Sequence, residues 1–202
     1  MIGIVVHDHW KPYYTLRGVL HALCDAHHLR ELKALFEIEQ EPWARRMQRL
    51  LRRACHAPHL ARERDGPLKP SLVQRFQHRY DAIVADGLAF HQAQPPLPIT
   101  GRRGRPRRRT GRNLSLRLST RKDDVVRFLT DPRVPFTNNL AEQAARMMKL
   151  RQKISSGFRS EPGVRDFAVI RSLIATAKKQ GWNIIDTLTQ SPTVLLSKLR
   201  TA

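Results

Sequence analysis

The feature that most constrains the fold is one clear strand at the start of the chain, because a strand needs neighbours with which to pair. Residues 2–7 are mainly apolar and β-branched, and polar residues follow them directly. Residues 19–24 allow two interpretations, a second strand or a lead into the next helix. We therefore expect either a small sheet or a sheet whose remaining strands lie upstream of this sequence.

Most of the remaining sequence has the periodicity of helices. One face of the first predicted helix carries apolar side chains, at Leu29, Leu32, Leu35 and Phe36. Further helices are predicted after Pro42, over residues 71–92, and near residues 113–130, 139–151, 161–179 and 184–199. Gly181 is predicted to separate the last two. The predicted fold class is mainly α with a small β-sheet remnant.

The composition is that of a folded, water-exposed chain. At 202 residues and 41% hydrophobic residues, it can form one large domain or two small ones. No apolar run approaches the ~18–20 residues of a membrane span, and the N-terminus lacks a signal-type pattern. The two cysteines, Cys24 and Cys55, do not indicate a disulfide framework. These observations favour a cytoplasmic protein that does not contact a membrane.

The charge balance indicates a polyanionic partner. The chain carries 37 Lys plus Arg against 17 Asp plus Glu, a formal net charge of +20. A surplus of this size concentrates nucleic acid near the surface. The alternative interpretation is a solvated basic surface.

The densest basic segment follows a proline-rich break at residues 94–98. Residues 101–112 contain seven arginines and no acid, so the segment is not expected to fold alone. Gly104-Arg105-Pro106 resembles an AT-hook, in which arginine enters a narrow minor groove. Six phosphate contacts here would give a log–log salt slope of about −5. The predicted DNA-binding residues are Arg102, Arg103, Arg105, Arg107, Arg108, Arg109 and Arg112; a solvated linker is the alternative.

A second basic group follows Glu142. It surrounds the sequence Ser155-Ser156-Gly157-Phe158 and is predicted to bind phosphates beside a metal site. The alternative is a solvated helix face with a glycine turn. Its members are Arg146, Lys149, Arg151, Lys153 and Arg159.

Two acids are candidate metal ligands. Asp8 ends the first strand, and side chains at the carboxyl end of a strand point into the crevice where open α/β sheets bind ligands. Glu142 lies at the start of a predicted helix. Each also has a structural interpretation: Asp8 as a turn residue, and Glu142 in a capping box with Asn139 as N-cap. Two carboxylates are few for a two-metal site, so a third acid is expected.

Cys24 and His27 have the C-x-x-H spacing of half a tetrahedral zinc site. Residues that could complete such a site are His28, Cys55, His56 and His59. We favour a small buried Cys24 and a His27 that forms hydrogen bonds near the crevice, and we expect no zinc in this segment.

Taken together, these motifs resemble the insertion-sequence-66 family of bacterial transposases. The resemblance covers nearly the whole chain, and the order and spacing of its motifs make it specific. The matching segments are residues 6–13, 21–32, 104–106, 113–114, 134–142 and 153–160.

The resemblance implies a truncated ribonuclease-H-like core with an Asp, Asp, Glu triad that binds Mg²⁺ or Mn²⁺. Asp8 matches the second Asp and Glu142 the Glu, while the first Asp belongs to an upstream strand. The active-site support expected from the matched motifs is Cys24, His27, Asn138 and Asn139. The expected organisation is a first part of the core at residues 1–30, a helical insertion at 31–130 and C-terminal core helices at 131–202.

The implied chemistry of the complete enzyme is two phosphoryl transfers. Water frees a 3′-hydroxyl at a transposon end, and this hydroxyl attacks target DNA. The expected partners are these DNAs and other transposase subunits, in the bacterial cytoplasm near the nucleoid. Without the first Asp, we expect no strand transfer from this chain alone. The alternatives are a non-catalytic, basic DNA-binding protein derived from a transposase, and a metal-dependent nuclease with the same fold.

Overall fold

The computed structural model describes residues 3–62, 68–98 and 107–201. The chain is mainly helical with a small two-stranded sheet, as predicted. It divides into two compact units, Met1–Asn138 and Asn139–Ala202. The finer division into a split core and an insertion stays a prediction.

The sheet of the first unit consists of two parallel strands, β1 (Gly3–His7) and β2 (Val19–Leu23). Their register pairs Gly3 with Val19 and His7 with Leu23. The Cys24 amide donates to the His7 carbonyl at 2.8 Å, which extends the ladder by one residue. The first strand is therefore confirmed, and the ambiguous second run is a strand.

Three long helices follow the sheet and pack in sequence order. They are α1 (Asp25–Glu37), α2 (Pro42–Arg62) and α3 (Pro70–Gln92), as the periodicity predicts. Their apolar faces form a core that includes Leu32, Trp43, Met47 and Tyr80. Cys24 and Ala22 from the end of β2 are also fully buried, so the core holds the carboxyl end of the sheet in place.

The helix predicted at residues 113–130 is wrong as a single element. The structure has α4 (Thr110–Thr120), α5 (Lys122–Val126) and a 3-10 turn at Arg127–Leu129. The break falls at Arg121, whose φ of −119° and ψ of 25° are not helical. A straight helix would point part of this sequence away from the core, whereas the broken one buries Leu118, Val125 and Phe128.

The second unit contains α6 (Asn139–Ser155), α7 (Glu161–Lys179), α8 (Ile184–Thr189) and α9 (Pro192–Thr201). Gly181 has a φ of +67° between α7 and α8, which confirms the predicted break. The helix predicted at residues 184–199 is interrupted before Pro192, where Gln190 is extended. Asn139 is the first residue of α6 and not the residue before it, so the predicted capping box does not have its expected register.

Within the described ranges, none of the helices combines the length and the apolar character that crossing a bilayer requires.

Candidate functional site

The carboxyl ends of the two parallel strands bring several predicted site residues to one edge. β1 leads into Asp8, and β2 leads into Cys24 and the first turn of α1, which contains His27. Because His7 pairs with Leu23, Asp8 and Cys24 follow at neighbouring positions in the register. We call these residues together with Asn138 the carboxyl-edge group.

Asp8 is exposed, and its Oδ1 accepts a hydrogen bond from the Trp10 amide at 3.2 Å. This contact closes a turn in which His9 has a φ of +70°. Asp8 therefore has the turn role that the alternative interpretation predicted. One oxygen of an exposed carboxylate can close a turn while the group still accepts a cation, because each oxygen has two lone pairs.

Cys24 is buried, as predicted, and it positions the last residue of the first unit. Its Sγ accepts a hydrogen bond from the Asn138 amide at 3.3 Å. The Asn138 side-chain oxygen is buried and makes no hydrogen bond to a described residue. The Asp25 amide also donates to the Phe136 carbonyl, at 3.1 Å, so two contacts hold residues 136–138 against the start of α1.

A pair of histidines from the two strands, a buried His7 and a half-buried His21, lies beside the carboxyl-edge group in sequence. The His9 amide donates to His7 Nδ1 at 3.2 Å, which assigns the ring proton of His7 to Nε2. His7 Nε2 then donates to His21 Nδ1, also at 3.2 Å. Burial lowers the pKa of His7, and His21 lowers it further. The contact from the His9 amide requires a neutral His7, because Nδ1 must accept, so the lowered pKa agrees with the geometry.

A contact between His9 and Tyr14 extends this chain of hydrogen bonds. His9 Nδ1 lies 2.8 Å from the Tyr14 hydroxyl, and the Arg121 guanidinium lies 4.0 Å from the centre of the Tyr14 ring. Burial lowers the pKa of His9 to about 4, with Arg117 and Arg121 as the next causes. Arg121 thus adds positive charge near the turn that carries Asp8, which favours a phosphate there.

A buried pair lies in the first turn of α1. Asp25 is 0% exposed, and its Oδ1 lies 3.0 Å from His28 Nδ1. Burial raises the pKa of Asp25 well above its ordinary value and lowers that of His28 to about 3. The opposite shifts keep charge out of the core between the sheet and α2.

The sequence interpretation missed His7, His21 and Asp25 as parts of this region. The available signal was the strand alternation: in the observed register, His7 and His21 are diagonal neighbours on one face. Finding it required both the parallel pairing and its register. Asp25 gave no signal, because an acid in the first turn of a helix is ordinarily exposed.

The arginine segment is only partly described. Arg102, Arg103, Arg105 and the AT-hook-like sequence at residues 104–106 lie outside the described residues. The remaining members of the predicted set meet at one pocket, lined by Arg107, Arg108, Arg109 and Arg112.

The second unit carries Glu142 and the second basic group. Glu142 is in the first turn of α6, and at about 100° per residue Arg146, Lys149 and Lys153 share its face. Arg151 lies on the opposite face, and its guanidinium is 6.0 Å from the centre of the Phe158 ring. Arg151, Phe158 and Arg159 line an open cavity of about 930 Å³. Asp8 and Glu142 belong to different units, so their sharing of metal ions stays a prediction.

Comparison with known proteins assigns the sequence to a class of proteins. The sequence matches the transposase IS66 family over residues 1–166. The chain therefore belongs to the IS66 family of transposases, which confirms the resemblance.

One curated relative is an uncharacterized protein, y4qI, from Sinorhizobium fredii (strain NBRC 101917 / NGR234). It is 36% identical over 74 residues, and the match covers 37% of this chain and 14% of the relative. The matched segment is thus a small part of a much longer protein. No solved structure matches the chain.

Proposed function

We propose that this chain is a segment of the catalytic core of a DNA transposase, and that its acids hold divalent metal ions against a phosphodiester in the complete enzyme. The observation that carries the proposal is the position of Asp8: an exposed carboxylate at the carboxyl edge of two parallel strands. Ligands of open parallel sheets bind at this edge. Membership of a transposase family supports DNA as the substrate.

The proposed core is ribonuclease-H-like, with β1, β2 and α1 in its first part. Glu142 on α6 is the proposed third acid of the family triad, and Asp8 the second. Helices α2–α5 are then an insertion between the two acids along the chain. Parallel pairing supports this organisation, because parallel strands typically belong to larger sheets covered by helices.

The oxygen donors of the carboxyl-edge group suit a hard cation. Asp8 offers a carboxylate, and Asn138 offers a buried amide oxygen that makes no hydrogen bond to the described residues. Mg²⁺ prefers oxygen ligands of these kinds. When bound, it polarises a phosphodiester and lowers the pKa of an attacking water or hydroxyl.

The basic side chains hold and position the DNA strand in this proposal. Arg146, Lys149 and Lys153 form a row along the same face of α6 as Glu142. Such a row can follow successive phosphates, which fixes the register of a strand without reading its bases. The same cations compensate for bringing carboxylates close to a polyanion.

The test uses the complete transposase that contains this segment. Asp8→Asn and Glu142→Gln should each reduce Mg²⁺-dependent cleavage of transposon-end DNA by at least 10³-fold, because each removes a charge that holds the metal. DNA affinity should change less than threefold. Asparagine at position 8 can still accept from the Trp10 amide, so that substitution separates charge from turn structure.

The matched control is Glu161→Gln, which removes an exposed carboxylate from the first turn of α7. It should leave cleavage within twofold of the native rate. Equal loss of cleavage and DNA binding in the Asp8 and Glu142 variants would contradict a metal role. Unchanged cleavage would favour the alternative of a basic, non-catalytic DNA-binding segment.

A further inference from the structure

A pocket of about 230 Å³ in the first unit shares no lining residue with the carboxyl-edge group. It is lined by His91, by residues 94–97 and by four arginines, Arg107, Arg108, Arg109 and Arg112. We call it the arginine pocket. Ligand pockets for drug-sized molecules usually exceed ~300 Å³, so this volume suits a smaller unit.

A hydrogen bond joins the two segments that line the pocket. Arg109 Nη1 donates to the Pro95 carbonyl at 2.7 Å, joining the segment after α3 to the segment before α4. The remaining guanidinium groups present planar, permanently charged donors around a concave surface. Such groups bind phosphate through paired hydrogen bonds and stack on flat rings.

The start of α4 adds to the attraction for an anion. α4 has eleven residues and begins at Thr110, between Arg109 and Arg112. Its unpaired amides carry partial positive charge. The buried Glu41 carboxylate also approaches this turn, since a Cβ on Gly111 would lie 2.3 Å from Glu41 Oε2. One carboxylate offsets only part of the charge of four arginines.

His91 is a buried polar side chain at this pocket. It lines the pocket, it is 3% exposed, and its Nδ1 makes no hydrogen bond to a described residue. Its Nε2 lies 3.3 Å from Glu41 Oε2. Burial lowers the pKa of His91, against the raising effect of Glu41. A buried ring nitrogen without a protein partner is uncommon, and an ordered water or ion beside it would satisfy it.

Part of the lining is apolar. Pro95, Pro96 and Leu97 contribute this part, so the pocket combines phosphate-binding groups with a surface for a sugar or base. Proteins that bind single strands combine positive charge with side chains on which bases stack. Here Pro95, Pro96 and Leu97 would take the place of the usual aromatic rings. A nucleotide that is outside a duplex can enter a concave pocket. A base-paired nucleotide is held in the duplex and enters such a pocket much less readily.

We propose that the arginine pocket binds one nucleotide of a single DNA strand, with its phosphate on the guanidinium groups and its base or sugar against residues 95–97. The inference rests on DNA being the partner in the proposed function. It does not depend on the metal site, so it can be tested without catalysis.

The experiment measures fluorescence anisotropy of labelled (dT)₆ with the whole 202-residue chain. Arg107→Ala combined with Arg112→Ala should raise the Kd at least tenfold. The charge-matched control is Arg52→Ala with Arg53→Ala, two exposed residues in the middle of α2. The control should raise the Kd less than threefold, and equal increases for both pairs would overturn the proposal.

Two further measurements identify what the pocket binds. A (dT)₆ whose central, most tightly bound nucleotide is abasic should bind at least threefold more weakly than intact (dT)₆. Equal binding, with full competition by inorganic phosphate at matched ionic strength, would reduce the pocket to an anion site and overturn the nucleotide assignment.

The last measurement uses the native chain, so misfolding of a variant cannot affect its result. (dT)₆ should protect Arg107 and Arg112 of the native chain from phenylglyoxal, read by mass spectrometry, while Arg52 and Arg53 stay reactive. Uniform protection of all four would contradict a defined pocket. Unchanged cleavage in the metal-site variants together with protection of Arg107 and Arg112 would contradict the proposed function and leave this inference standing. Loss of cleavage in those variants without such protection would do the reverse.

Discussion

The two units of the chain differ in how much apolar surface they bury. The first has a continuous core in which Leu32 and Leu118 are fully buried. In the described part of the second, the buried hydrophobic residues are Ala177 and Leu195, while Ile154 and Ile185 are 72% and 73% exposed. Burial contributes about 25 cal/mol per Å². The first unit thus contains the packing for its own stability, and the second presents apolar surface typical of an interaction site.

The largest expected effect tests this difference in burial. Leu32→Ala should lower the free energy of unfolding of the first unit by about 3 kcal/mol, because it leaves a cavity at a fully buried position. Urea denaturation followed by Trp43 fluorescence measures it, with Trp10 and Trp182 replaced by Phe so that Trp43 is the single reporter. Ile185→Ala in the second unit should cost less than about 0.5 kcal/mol. Similar losses for both substitutions would remove the contrast between the units.

A glycine in each unit gives a smaller effect. Gly111→Ala should destabilise the first unit by about 1–3 kcal/mol, because the new Cβ would lie 2.3 Å from Glu41 Oε2 and 2.6 Å from His91 Nε2. Gly163→Ala in α7 meets only the Ser160 hydroxyl, at 3.2 Å. The alanine should be neutral or stabilise by up to about 1 kcal/mol, from helix propensity. Paired thermal melts measure both, and a stable Gly111→Ala chain would refute the close packing described for Glu41.

The smallest expected effect is the pH dependence. All nine histidines lie in the first unit. The pKa of His9 is lowered to about 4 and that of His28 to about 3, from 6.5, and His7 is also lowered. Between pH 6.5 and about 4 the unfolded chain therefore binds more protons, so stability is lost as the pH falls. Asp25, with its raised pKa, acts in the opposite direction and reduces the effect.

Thermal melts at pH 7 and pH 6 should show the first unit losing on the order of 1 kcal/mol. The second unit, which has no histidine, should be unchanged over this interval. The His28→Asn chain should lose less stability on acidification than the native chain. A first unit that gains stability at pH 6 would show that the histidines are not held neutral in the folded state.

Much of the fold could be predicted because the spacing of hydrophobic residues and the positions of helix-breaking Gly and Pro are local properties of the sequence. The β-branched run before Asp8 and the breaks at Pro42 and Gly181 place their elements without tertiary information. The break at Arg121 could not be predicted in this way. It places Val125 and Phe128 in the core, and that gain exists only when α4 and the sheet are already packed.

The candidate site was predictable to the same extent. The position of Asp8 at a strand end follows from sequence, and the order of its neighbouring motifs indicates the family. The His7–His21 contact depends on strand register, and the Glu41–Gly111–His91 packing joins residues far apart along the chain. Residues that meet only through folding leave no local pattern.

By itself, the sequence determined the mainly helical class, the basic character and the family. Periodicity, charge and motif order depend only on the order of residues along the chain. Tertiary structure decided which histidines are buried and neutral, which arginines share a pocket, and where the predicted helices break. The physical reason is that desolvation and close packing depend on distances between elements, and those distances exist only after the chain has folded.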